Sequence, residues 1–390
     1  MRIENTVYLD HQATTPTDER VLAKMLPFHR FIFGNPHSSE HALGWQSAQA
    51  VEQASTQIAN LLNGDPDEVI FTSGATEANN LAVLGAAQKG VTGARKRIVI
   101  SAIEHKCVIE AAQKACTQFG FTVDEAPVGT DGRLDIDWMK NNLDESVLLV
   151  SVIAVNNEIG TIQDLPEVAR LAHGIGAFVH SDCAQAPVAM DLRMIADHVD
   201  MASLSAHKMY GPKGIGALWI SRSIQDHVQP ILYGGGQQQG LRSGTVPVPL
   251  AVGMGEAARI LLETDMNRER LHSRALIRQL VNGLQEQGIN IALNSLLDET
   301  GHPASVSVQF IGMQAQDILQ TVQPHLAAST GSACTSGIPE PSHVLRAIGL
   351  TEEEAQSSIR FGIGRDTVEE DIDQAVGILA NGVRKFSKIV

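Results

Sequence analysis

Between about residues 65 and 220, short apolar runs alternate with stretches whose apolar positions recur every three or four residues. Residues 68–71, 97–101, 147–155, 177–180, 201–205 and 216–220 read as strands, and 77–88, 108–118 and 165–173 as helices between them. Strands that are apolar on both faces and separated by helices predict a mostly parallel sheet covered on both sides. Upstream, Val51, Ala54, Ile58, Leu61 and Leu62 fall at helical spacing within 45–62, so one face should pack inward. Downstream, 250–284 is helical in pattern, with a bend expected around 264–267. The character then changes. Residues 305–310 alternate like a half-exposed strand. Thr367 to Glu370 has the spacing of a capping box ahead of a final helix carrying Ile372, Val376, Leu379 and Val383. The pattern places a domain change near residue 260.

Composition narrows the class. The chain has 390 residues, 43% of them hydrophobic, which is enough for a full core and more than one domain. Only 4% are aromatic and 34 are Gly, a balance that suits an α/β protein better than a helical bundle. The net charge of −15 repels phosphate backbones and anionic membranes, so neither direct nucleic-acid binding nor a membrane partner is expected. The four cysteines are Cys107, Cys116, Cys183 and Cys334. They form no disulfide framework and no CxxC pair, and no metal site is expected. The start, MRIENTVYLDHQ, lacks a signal layout, and no run approaches the roughly 20 apolar residues of a membrane span. The expectation is a reduced, acidic, cytoplasmic enzyme.

Four segments carry candidate chemistry. FTSGATEANN (71–80) reads as strand, small-residue turn and helix, and the free N–H groups at such a helix start favour an anion near Ala75 and Thr76. The competing reading is an ordinary helix capped by Ser or Thr. AFVHSDCAQ (177–185) ends a strand with Asp182, where a carboxylate points into the ligand crevice of a parallel sheet. SLSAHKMYGPK (203–213) sets Lys208 beside His207 and among Ala206, Met209 and Tyr210. Partial burial and neighbouring positive charge would help that lysine lose the proton a Schiff base requires, whereas an exposed loop lysine is the bland alternative. STGSACTSGI (329–338) holds Cys334 in a polar loop, where a free thiol asks for a reason. Cys107 and Cys116 lie in apolar runs and read as structural.

Taken together, these segments resemble the cysteine desulfurases of the NifS/IscS type, within the class V, fold-type I pyridoxal-phosphate (PLP) enzymes. The resemblance runs almost end to end, through YLDHQATTP (8–16), GNPHS (34–38), FTSGATEANN (71–80), EHK (104–106), NNEIG (156–160), HSDCAQ (180–185), SAHKMYGPKG (205–214), RSGT (242–245), GSACTS (331–336) and SSIRFGIGR (357–365). It implies an α/β fold with a large domain over 16–260, built on a mostly parallel seven-stranded sheet, and a smaller C-terminal α+β domain built from 1–15 and 261–390. It also implies that Lys208 carries the PLP and moves the substrate Cα proton, that Asp182 pairs with the pyridine nitrogen, and that His105 stacks on the ring and takes part in proton transfer. Gln185 and Asn157 would approach the phenolic oxygen, with Asn157 also near the substrate. Ala75, Thr76, Ser205 and His207 would hold the phosphate, joined by Thr245 from the second subunit of a homodimer. Arg360 would clamp the substrate carboxylate. Cys334 would take sulfur from L-cysteine as a persulfide and pass it to an acceptor protein for iron–sulfur cluster assembly or another sulfur modification.

The chain departs from the family pattern in places. His11-Gln12 replaces small residues before ATTP, and Gln238-Gln239 stands where an acid and a base are common. Both pairs are expected near the site. The housekeeping bacterial enzymes carry a longer tail than the one ending here at Val390, which implies a specialised acceptor or a different docking mode. Two alternatives stay open: a selenocysteine lyase or other class V lyase, in which Cys334 is dispensable, and an inactive sulfur-relay partner. Intact Lys208, Asp182, Arg360 and Cys334 argue against the second.

Overall fold

The computed structural model describes residues 1–331 and 341–386, and the segment holding Cys334 lies outside them. In chain order the strands are β1 (Arg2–Ile3), β2 (Thr6–Tyr8), β3 (Val69–Thr72), β4 (Arg97–Ser101), β5 (Thr122–Ala126), β6 (Val147–Ser151), β7 (Phe178–Asp182), β8 (Met201–Ser205), β9 (Gly216–Ile220), β10 (Ile291–Leu293), β11 (Ser305–Phe310), β12 (Leu326–Ala327) and β13 (Ser358–Gly362). Seven of them form the central sheet in the order β3-β9-β8-β7-β6-β4-β5. Its pairs are parallel except at β9, which runs antiparallel to both β3 and β8.

Alternate residues of these strands feed two different cores, as the period of two requires. Ile70, Ile98, Ile100 and Leu149 join the apolar cluster on one face, which contains residues of α3 (Ala75–Lys89) and α4 (Lys106–Phe119). Phe71, Val99 and Val150 join the cluster on the other face, with Ile58 and Leu62 of α2 (Ala42–Leu62) and Met254 and Leu261 of the helix Val248–Glu263. The helix α1 (Glu19–Arg30) adds Val21 and Met25 to that second cluster. Six of the seven strands coincide with the apolar runs. The seventh, β5, lies at the sheet edge, and its sequence TVDEA has no apolar run to announce it. The run 147–155 also overshoots. β6 ends at Ser151, and Val152–Val155 stay buried because they continue alongside β7, with Val152 N donating to His180 O at 3.0 Å and Ala154 N to Asp182 O at 3.0 Å.

The helical stretch 250–284 resolves into Val248–Glu263 and Met266–Glu286, with Thr264 extended between them and Asp265 capping the second helix through Arg268 N. Beyond it, β10, β11 and β13 form an antiparallel sheet in the order β10-β11-β13. Its apolar side packs with Leu276, Leu280 and Leu284 and with Ile372, Leu379 and Val383 of the final helix Glu369–Phe386. Val7 and Leu9 belong to the same cluster, so residues near the start of the chain share a core with residues past 276. β11 is not half-exposed as its alternation suggested. Ser305 and Ser307 are buried, because the polar side of this sheet faces the rest of the protein rather than water. The capping box at Thr367 does not form either. Thr367 Oγ1 accepts from Gly364 N, while Asp371 accepts from Val368 N. Among the described residues no helix is long and apolar enough to cross a membrane.

Several histidines are buried without a charge partner. His180 sits between Ser151 Oγ (2.8 Å from Nδ1) and Ser203 Oγ (3.0 Å from Nε2), and burial pushes its pKa down to about 4. Burial likewise lowers His11 and His207 to about 4 and His302 to about 3. Each stays neutral in the fold at pH values where the unfolded chain protonates it, so its stabilising contribution is complete above about pH 6.5 and is lost as pH falls toward 4. Buried Glu104 opposes this, since its raised pKa makes the fold more stable at lower pH, but it is one group against several. The melting temperature should therefore fall between pH 7 and pH 5, with a shallower slope in His180→Gln. A flat profile over that range would contradict the assignment of these side chains as neutral.

Candidate active site

Open parallel sheets leave a crevice beyond the carboxyl ends of their strands. Here β7 ends in Asp182 and β8 in Ser205, and both residues line a cavity of about 570 Å³. Ala75, Thr76, His105, Asn157, Gln185, His207, Lys208 and Arg360 line it too. Of the residues expected at the site, two are not placed there. Cys334 lies outside the described residues, although Gly331 lines the cavity. Thr245 is exposed and is not part of its own chain's cavity lining.

Lys208 closes a short 3₁₀ turn, Ala206–Lys208, followed by Tyr210 in the left-handed region at φ 64°. A tyrosine there is strained and must be held by its surroundings. The segment after β2 holds it. Thr15 N and Thr15 Oγ1 donate to His207 O at 2.9 and 3.0 Å, Thr15 Oγ1 accepts from Tyr210 N at 2.9 Å, and Asp18 N donates to Tyr210 O at 3.0 Å. Arg365 lies over the Tyr210 ring at 3.8 Å and pairs with Asp18 at 2.8 Å. The Gln12 carbonyl accepts from Lys208 Nζ and, at 2.9 Å, from Gln185 Nε2. YLDHQATTP thus fixes the position of the lysine, a role its sequence did not reveal.

Asp182 is 3% exposed. Its Oδ1 accepts from Ala184 N at 2.9 Å and its Oδ2 from Asn79 Nδ2 at 2.7 Å. Asn79 Nδ2 also donates to Cys107 Sγ at 3.1 Å, and Cys107 Sγ lies 2.9 Å from His105 Nδ1. The same Nδ1 accepts from Cys107 N at 3.2 Å, which caps α4. An acceptor Nδ1 puts the proton of a neutral ring on Nε2 and lets the Cys107 thiol donate to Nδ1. Cys107 packs against the apolar cluster of α3 and α4, as its run suggested, but that is not its whole role. It lines the cavity. Its place directly after EHK was the available signal. Cys183, by contrast, is fully buried, and burial pushes its thiol up to about 12.

Arg360 comes from β13 and is 5% exposed. Its Nη1 donates to Asn157 O at 2.8 Å and its Nη2 to Asp10 Oδ1 at 2.9 Å, while Nε is buried without a partner. Gln12 lines the cavity and His11 stands behind it, Nδ1 3.0 Å from Gly362 O. Both depend on glycines. A Cβ on Gly362 would lie 1.3 Å from Gln12 Oε1, and one on Gly364 would lie 2.3 Å from the His11 ring. Gln238-Gln239 is not part of its own chain's cavity lining. Gln238 pairs its amide with both Phe71 N (2.6 Å) and Phe71 O (3.0 Å) on the open edge of β3, and Gln239 Nε2 donates to Asp67 O. These glutamines satisfy backbone groups at and beside a sheet edge.

α3 begins at Ala75 behind Gly74, which provides no side-chain cap, so the capped-helix reading of 71–80 does not hold. The first N–H groups of the helix are left for whatever enters the cavity. His207 is neutral at physiological pH, through burial first and then the charges of Lys208 and Lys213, and its Nδ1 lies 3.1 Å from Thr14 Oγ1.

Known proteins bear on this geometry. The family Aminotransferase class-V matches residues 7–375. A protein named cysteine desulfurase IscS from Rickettsia akari (strain Hartford) is 42% identical over 384 residues, covering 98% of this chain and 92% of that protein. The solved structure of a NifS-like protein superposes with a TM-score of 0.90 at 32% identity, over 98% of this chain and 100% of that one. A structure described as SspA in complex with cysteine matches with a TM-score of 0.79 at 32% identity, over 93% of this chain and 99% of that one. The seven-stranded α/β architecture, the site at its strand ends and these similarities agree: the chain belongs to the class-V aminotransferase family, among its cysteine desulfurases.

Proposed function

We propose that this protein takes sulfur from L-cysteine with the help of pyridoxal phosphate, holds it as a persulfide on Cys334 and passes it to an acceptor protein. The observation that carries the reading is the convergence, in one cavity, of an amine (Lys208), a strand-end carboxylate (Asp182), an imidazole (His105) and a guanidinium with an unpartnered buried Nε (Arg360). These residues fit the cofactor. The cavity has room for a substituted pyridine ring with a small amino acid, the open start of α3 with Ser205 and His207 suits its phosphate, and Asp182 suits its ring nitrogen. When bound, the cofactor supplies an electron sink for the substrate Cα.

The chain's own groups divide the remaining work. Arg360 binds the substrate carboxylate through donors it does not spend on Asp10 and Asn157. Lys208 carries the cofactor and moves the proton at the substrate Cα. His105, with its proton on Nε2, exchanges protons at that atom, and Gln185 and Asn157, which line the same cavity, would approach the cofactor's phenolic oxygen, Asn157 also the substrate. The Cys334 thiolate attacks the substrate sulfur, the carbon–sulfur bond breaks, and the carbon side leaves as alanine once protonated. A protein sulfur acceptor, such as one serving iron–sulfur assembly, then takes the persulfide. This reading favours a desulfurase over a lyase because it gives Cys334 the work.

A homodimer fits the same reading. Phe31, Phe33 and Trp45 are more than half exposed near Leu22, Leu26 and Leu43 in sequence, an apolar surface a second copy would cover, and Thr245 would then reach the partner's site. We assign residues 16–260 to the large domain and 1–15 with 261–390 to the small one. The shared core of Val7 and Leu9 with residues past 276 supports that division.

Purified protein should be yellow and should release alanine and sulfide from cysteine in the presence of a reductant. Cys334→Ala should keep the colour and lose sulfide release by at least about 100-fold, and undiminished release would sink the persulfide route. Lys208→Ala should lose the visible absorbance of the bound cofactor. Arg360→Lys should raise KM for cysteine by about 10-fold or more with the absorbance intact, because a single ammonium cannot replace the planar fork.

A further inference from the structure

The phosphate end of the cavity has a charge imbalance. A phosphate monoester carries about −1.5 to −2 charges at pH 7. The α3 dipole offers about half a positive charge. Glu77, in the first turn of α3, would oppose an anion, but Arg242 neutralises it with Nε to Oε1 at 2.7 Å, and Arg242 is thereby spent. His207 is neutral, Lys208 is committed to the Gln12 carbonyl and to the cofactor, and Arg360 is paired with Asp10. Lys213 is left. It lines the cavity together with Gly214, Ser73, Gly74, Ala75, Thr76 and His207. Among the described residues it is exposed and no ion pair or hydrogen bond occupies its ammonium.

Its backbone is well held. Gly211 N donates to Ala206 O at 2.9 Å, Ala206 N donates to Ile215 O at 3.1 Å, and Pro212 precedes the lysine within that loop. We propose that Lys213 is a positioning residue for the cofactor, the cation that balances its phosphate dianion at the start of α3. The inference rests on the functional reading above. It assigns to a residue outside the expected phosphate set the charge which that set lacks: Ala75, Thr76, Ser205 and Thr245 are uncharged, and His207 is neutral.

The test separates charge on phosphate from a general structural role. The full-length chain, stripped of cofactor, is titrated with pyridoxal phosphate and with pyridoxal, which has no phosphate, while the visible absorbance is followed at low and high salt. Lys213→Met keeps the stem and removes the charge. It should weaken pyridoxal phosphate binding by about five- to tenfold at low salt, reduce the salt dependence and leave pyridoxal binding unchanged. Lys213→Arg should bind within about twofold of the unaltered chain. Unchanged pyridoxal phosphate affinity in Lys213→Met, or equal loss of both ligands, would overturn the proposal. If the unaltered chain bound neither ligand, the functional reading itself would fall, and this inference with it.

Discussion

The carbonyl of Gln12 accepts hydrogen bonds from both Lys208 and Gln185, and the rest of the site is arranged around it. A half-buried amine needs an acceptor, and a buried amide needs one as well. One backbone oxygen serves both, on a segment that is itself fixed at either side. On one side Leu9 N donates to Ala327 O, and His11 N donates to Gly362 O. On the other, Thr15 grips the turn carrying His207 and Tyr210. Residues 10–18 therefore bond to Arg360, Lys208, Gln185 and the turn that carries His207 and Tyr210.

Because of this, the site is a product of tertiary assembly rather than of any one motif. Arg360 belongs to the second sheet, Asn157 to the loop after β6, and Asp10 to the segment between them, yet one guanidinium bonds to both of the others. A charge this buried tolerates little misplacement, since each lost partner exposes a desolvated donor. The network from Asp182 through Asn79 and Cys107 to His105 has the same character on the opposite wall, tying β7, α3 and the start of α4 together. Both walls of the cavity are thus tied across several elements.

Much of this was legible in the sequence where periodicity is strong. The inner strands of the sheet are apolar on both faces, and their runs stand out. β5 was not legible, because an edge strand can be polar and is recognised only by its neighbour, here through the Arg97–Asp124 pair at 2.6 Å. Lys208, Asp182, His105 and Arg360 sit in recognisable segments, and the cavity gathers them. Asn79 and Cys107 did not stand out, since a helix residue and a cysteine in an apolar run carry no mark of a hydrogen-bond chain that exists only after β7, α3 and α4 pack. Gln238 also plugs a strand edge that its sequence did not announce, because sequence order does not reveal which backbone groups remain unpaired.

The glycines opposite His11 and Gln12 tie the two ends of the chain to one packing problem. The end of the Gln12 side chain fills the space that a Cβ at position 362 would need, and the His11 ring fills the space beside 364. In this backbone geometry a side chain introduced at 362 would require Gln12 to move, and one at 364 would press on the His11 ring. What looks in a linear sequence like a local feature near the start is therefore coupled to positions some 350 residues away.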